Sequence, residues 1–145
     1  ETEARDICTL GLAAVLLSFG APFIHAGQEF LRTKGGVENS YNASDEVNQF
    51  DWKRLERRGE TVQFVRDLIR FRQSKRAYAY STEQLQRAVT CRLLDANIVD
   101  IESDGLRVLF NFSGADYPLE VVDPSFSSNI KIQPGVLKKH QACFK

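Results

Sequence analysis

Apolar side chains recur at helical spacing at the start of the chain. Ile7, Leu10, Ala14 and Leu17 lie three or four residues apart, with Leu12, Val15 and Leu16 alongside. A band that wide predicts a helix over residues 3–18 buried against something large, since a surface helix needs only one apolar stripe. Gly20 stands where helices commonly end in a left-handed residue. Pro22 to Ala26 is then a short apolar run closed by Gly27, which predicts a strand buried on both faces. Helix, tight turn and buried strand form half of a parallel α/β unit.

Residues 32–52 lose this periodicity. Lys34-Gly-Gly36, Asn39-Ser-Tyr-Asn42 and Ser44-Asp45 make a polar stretch, with Tyr41, Asn42, Asn48, Gln49 and Trp52 interleaving amides and aromatics. A loop of that length in a compact domain is usually functional or disordered, and the interleaving favours function. Helical spacing returns over 60–73, where Val62, Val65, Leu68 and Ile69 form a stripe widened by Phe64 and Phe71. Ser81-Thr-Glu-Gln84 is a capping signal for a helix of one or two turns. Beyond residue 90 the period becomes that of strands. Ile98 to Ile101 is one run, Ser103-Asp-Gly105 a tight turn, and Leu106 to Phe112 alternates with Val108, Phe110 and Phe112 on one side. Tyr117 to Val122 and Asn129 to Ile132 continue the pattern, so an antiparallel sheet or sandwich is expected after a boundary near residues 80–90.

Composition narrows the function. The 145 residues hold nineteen basic and nineteen acidic side chains, a balance that gives no footprint for nucleic acid or an anionic membrane. The run from Leu10 to Phe19 is too short to span a bilayer, and no basic segment precedes it as in a signal peptide. Cys8, Cys91 and Cys143 are far apart, which suits buried free thiols in a reducing compartment, hence cytoplasm, better than a disulfide framework or a zinc site. An extracellular or cell-surface location stays open. With no methionine at its start, the sequence reads as a piece of a longer protein.

Gly20-Ala-Pro-Phe-Ile-His-Ala-Gly-Gln-Glu29 resembles the eighth strand of the α-amylase superfamily barrel. Its continuation to Lys34, then Asn39-Ser-Tyr41 and Asp45-x-x-Asn-x-x-Asp-Trp52, is similar to type I pullulanases. The resemblance implies the last α-β-α units of a (β/α)8 barrel over 1–80 and a C-terminal antiparallel β-sandwich domain over 81–145. Residues 3–18 would be the seventh barrel helix, 22–26 the eighth strand and 60–73 the eighth helix. It implies a parent that hydrolyses α-1,6 links in pullulan, glycogen or branched dextrins with retention, without a cofactor. Retention needs two carboxylates about 5 Å apart. In that family these come from the fourth and fifth strands, and a third follows the seventh, so this piece would lie downstream of all three and be inactive alone. The missing barrel portion would be its intramolecular partner. The resemblance also assigns Asp45, Asn48, Gln49 and Tyr41 to substrate binding, although many relatives carry Arg where Gln49 stands.

Other features have plainer readings. Glu29 suits a hydrogen-bonding strut, Asp51 a helix N-cap, and His25 a packed structural histidine. His140 neighbours Lys138 and Lys139 and is expected at the surface. Lys53 to Arg58 alternates with Glu56 and Glu60 as a solvated helix face does. Gly35-Gly36 lacks the Lys-Ser/Thr of a phosphate loop. Two alternatives stay open: a stand-alone carbohydrate-binding β-domain using Tyr117, Phe110, Phe112 and Phe126, or a structural cap with no ligand. The exposed apolar stripes of a separated piece should drive its association.

Overall fold

The computed structural model describes residues 2–118, 136–137, 139 and 142–144. The strand expected over 129–132, along with Phe126 and His140, lies outside the described residues.

Helix α1 (Thr2–Leu17) forms where the apolar band predicted it, and buries Leu10, Leu12, Ala13, Leu16 and Leu17. Each buried leucine contributes about 1.5–3 kcal/mol of hydrophobic stabilisation. Carbonyls at the end of the helix and just past it are captured from the far side of the chain. The Arg72 guanidinium donates to Leu16 O at 2.8 Å, to Ser18 O at 2.6 Å and to Gly20 O. The Tyr78 hydroxyl donates to Leu17 O at 2.9 Å. Arg72 lies 4.3 Å over the Tyr78 ring, which itself stacks on Phe19 at 5.0 Å. These donors satisfy carbonyls that a helix C-terminus otherwise leaves open, while Gly20, at φ 97°, turns the chain away.

The run after Gly20 corrects an expectation. Residues 21–25 are extended but join no ladder among the described residues. A parallel strand takes its hydrogen bonds from neighbours on both sides, and no such neighbour is described. Burial is likewise not on both faces: Phe23 is 83% exposed and His25 is exposed, so His25 is not a packed histidine, and Ile24 alone of this run packs on the core.

Helices α2 (Asp45–Asn48) and α3 (Trp52–Arg57) lead into α4 (Gly59–Ser74), which buries Val62, Val65 and Leu68 and packs along α1. Short helix α5 (Thr82–Ala88) carries the full capping box: Gln84 N donates to Ser81 Oγ and Ser81 N to Gln84 Oε1.

Strands β1 (Thr90–Asp95), β2 (Ile98–Ser103), β3 (Leu106–Asn111) and β6 (Ala142–Phe144) form an antiparallel sheet in the order β1-β2-β3-β6; β4 (Tyr117–Pro118) pairs with β5 (Val136–Leu137). Asp104 and Gly105, at φ 48° and 75°, make the β2–β3 turn with the positive φ pair that matches strand twist. Val99 opposite Phe110 and Ile101 opposite Val108 set one face. Among the described residues that face packs on helices rather than on a second sheet. Leu10, Leu16 and Leu17 of α1, Val65 and Leu68 of α4, and Val108 and Phe110 of β3 form one continuous core. Phe112 keeps to the side of Phe110 but is not buried with it. It lies past the end of β3, 43% exposed, with its ring 5.8 Å from that of Phe110.

On the opposite face Asp100 is buried and paired. Arg107 donates to it twice, at 2.9 and 3.0 Å, and Arg92 once, at 3.2 Å. A buried carboxylate demands such partners, because desolvating an unpaired charge is expensive. Cys8 and Cys91 are exposed, not buried. Cys8 stands on the side of α1 away from the core, and Cys91 on β1, whose residues are all exposed.

Candidate functional site in the loop from Gln28 to Trp52

Gly27 begins the loop at φ 91°. A Cβ here would stand 2.8 Å from Arg32 Cδ and 3.1 Å from Phe30 Cζ, so the turn requires glycine twice over, for backbone and for space. Gly27 N donates to Glu29 Oε2 at 3.1 Å and Arg32 N returns to Gly27 O at 2.9 Å. Glu29 is therefore the strut its position suggested. The 3-10 turn Gln28–Phe30 buries Phe30 to 1% exposure.

Phe30 anchors an aromatic cluster, with Phe50 and Trp52 each 6.3 Å away and 5.4 Å from one another. The Arg32 guanidinium lies 4.3 Å over the Phe50 ring and donates to Asn48 O. Two cross-links hold the loop's other end. Lys34 Nζ reaches Ser40 Oγ and, at 3.0 Å, Asn48 Oδ1, and Arg54 Nε donates to Leu31 O at 2.7 Å. Arg54 thus belongs to the loop's scaffold and not to a solvated face. Asp51 caps α3 through Arg54 N at 3.2 Å and pairs with Arg57 at 2.8 Å, the N-cap role expected of it.

Between these parts runs an open groove of about 550 Å³, lined by Phe30, Arg32, Glu46, Gln49, Phe50 and Trp52 among others. Trp52 is 64% exposed, so an apolar ring face and several polar groups share one surface. Glu46 is exposed, and a hydrogen bond from the Ser44 hydroxyl, then backbone hydrogen bonding, hold its carboxyl below the usual value.

The four residues assigned by resemblance occupy different places. Gln49 lines the groove. Asn48 lies behind it with both amide protons committed, to Ser40 O at 2.8 Å and Ala43 O at 3.1 Å, and its Oδ1 taken by Lys34. Asp45 opens α2 at the surface, and Tyr41 is 94% exposed, with its backbone N–H on Asn39 Oδ1. Neither is among the residues lining the groove. Glu46, Phe50 and Trp52 were not among the assigned residues; the alternation Phe50-x-Trp52 was the available signal for two of them. Among the described residues no group of three His, Cys, Asp or Glu could hold a metal ion, and no helix is long and apolar enough to cross a membrane.

No family model matches the chain. The pullulanase of Bacillus subtilis is 46% identical over 100 residues, covering 68% of this chain and 14% of that protein. An isoamylase from a Flavobacterium species is 36% identical over 72 residues, covering 50% of this chain and 9% of its own length. Among solved structures, the pullulanase of Paenibacillus barengoltzii complexed with maltotetraose superimposes with a TM-score of 0.85 at 28% identity, over 99% of this chain and 25% of that one. The Bacillus subtilis type I pullulanase complexed with maltose gives 0.76 at 30% identity, over 99% and 23%. Sequence and fold together relate the chain to part of the debranching glycosidases of the α-amylase family. Within that class the chain is pullulanase-related, and it spans about a seventh of the length of the curated pullulanase it matches.

Proposed function

We propose that the chain serves within a retaining α-1,6-glucan hydrolase, residues 1–80 closing the catalytic barrel and 81–145 building the C-terminal β-domain, and that the loop from Gln28 to Trp52 lines the groove for pullulan or branched dextrins. The exposed Trp52 ring beside Gln49 carries this reading, since sugars offer weakly apolar faces and hydroxyl edges to such pairs. Similar pullulanases hold maltotetraose and maltose in their crystals, which supports it. The unladdered segment 21–25, with Phe23 exposed, fits a strand whose neighbours belong to the rest of the barrel. Glu46 and Asp51 both line the groove, but Asp51 is committed to Arg57 and to capping α3, which takes it away from acid/base work shared with Glu46. The chain alone is therefore expected not to hydrolyse pullulan, and reproducible release of reducing sugar by the purified 145 residues would refute that. Trp52 is the sole tryptophan, so its fluorescence reports on the groove directly. Titration with maltotriose should give a saturable change with a Kd of about 1 mM, or −4 kcal/mol, weakened by Gln49→Ala. A flat titration, or one indifferent to that substitution, removes the groove from substrate binding.

A further inference from the structure

Gln49 and Phe50 line the groove and follow directly on α2, a helix of a single turn. One turn is a poor support by itself, because nucleating a helix fixes several residues for one hydrogen bond. Its N-cap, Ser44, adds no side-chain cap. The bonds that tie this turn to the rest of the loop meet at its last residue, Asn48. Lys34 Nζ donates to Asn48 Oδ1 at 3.0 Å and also reaches Ser40 Oγ. The Asn48 amide donates onward to Ser40 O and Ala43 O, and its backbone carbonyl accepts from Arg32. One ammonium group thus joins the start of the loop to both Ser40 and Asn48. Bonds from an ammonium are charge-assisted and roughly twice as strong as neutral ones. Neither Lys34 nor Asn48 is among the described residues that line the groove.

We propose that Lys34 is a positioning residue for glucan binding: acting through Asn48, it holds α2 so that the Gln49 side chain stands in the groove with Trp52. This role rests on the reading of the groove as a glucan site. Without the ammonium, α2 opens more often, and apparent affinity falls with the fraction of chains that keep Gln49 in place.

The test uses the 145-residue chain carrying Lys34→Met, which keeps an unbranched stem and removes the donors. Losing one charge-assisted hydrogen bond shifts an opening equilibrium by about tenfold. For a single turn near its balance point, half of that factor on a logarithmic scale falls on each observable, so each should change about threefold. The first observable is hydrogen exchange of the Asn48 and Gln49 amides, which donate to Ser44 O and Asp45 O, read by NMR without sugar. It should quicken about threefold while the β2 and β3 amides keep their protection. The second is the maltotriose Kd from Trp52 fluorescence, which should rise about threefold. Lys34→Arg keeps a charged donor and should recover part of both changes. Adding Lys34→Met to Asn48→Ala should weaken binding no further, because the two act through one contact. Unchanged exchange at Asn48 and Gln49, additive losses in the double variant, or no gain from Lys34→Arg over Lys34→Met would overturn the proposal. Faster exchange throughout β2 and β3 would do so too, by making Lys34 a residue of the whole fold. A flat titration of the parent chain would remove the groove reading and this role together, whereas a saturable parent titration that Lys34→Met leaves unaltered would remove the role alone.

Discussion

Arg72 gives the sharpest test of how this fold is held. Its guanidinium donates to Leu16 O, Ser18 O and Gly20 O, closing the end of α1 from a position on α4. In Arg72→Gln the shorter neutral amide cannot span three carbonyls. A charge-assisted hydrogen bond contributes about 1.5–3 kcal/mol when well buried. Arg72 is half-exposed, so water replaces part of each bond, and about 1 kcal/mol apiece is the better figure. The loss is therefore about 3 kcal/mol, which for a chain of this size lowers Tm by roughly 9 °C. Arg72→Lys keeps the charge but not the fork, and should recover about one of those bonds. Tyr78→Phe removes a single neutral hydrogen bond to Leu17 O, for about 1 kcal/mol. Because Arg72 also lies over the Tyr78 ring, the two losses should not add, and a double-mutant cycle should show coupling of about 0.5–1 kcal/mol. Thermal unfolding followed by circular dichroism measures all four. An Arg72→Gln protein melting within about 2 °C of the parent would show that water caps the helix as well as the guanidinium does.

The remaining expectations concern charge. Burial pushes the Tyr78 hydroxyl up to about 12, with the positive Arg72 opposing the shift. A phenol raised in the folded state contributes stability that is complete below its unfolded value and disappears as pH rises through the folded one. Stability should therefore fall between about pH 10 and 12 more steeply in the parent than in Tyr78→Phe, and parallel urea midpoints across that window would refute it. Asp100→Ala leaves Arg92 and Arg107 without their shared carboxylate. Both arginines reach water, so the cost should be about 2–3 kcal/mol and not the full penalty of a stranded buried charge. An unchanged urea midpoint would show that the sheet does not need the pair.

What could be read in the sequence had local causes. The helical stripes at Leu10–Leu17 and Val62–Leu68, the Ser81–Gln84 capping box, the Asp51 cap and the Asp104-Gly105 turn each depend on groups within a few residues of one another. Periodicity and side-chain chemistry therefore specified them without knowledge of neighbours, and the motif around Gly27 and Trp52 was enough to point to the pullulanase relationship. Tertiary structure decided everything that required a distant partner. Pro22 to Ala26 had the composition of a strand, yet a strand exists only where another backbone supplies its hydrogen bonds, and none is described beside it. Asn48 stood out by its motif, whereas its bonds to Lys34, Ser40 and Ala43 come from the folding of the loop. Arg72 and Tyr78 lie far from α1 in sequence, and only the fold brings their donors onto the carbonyls at its end.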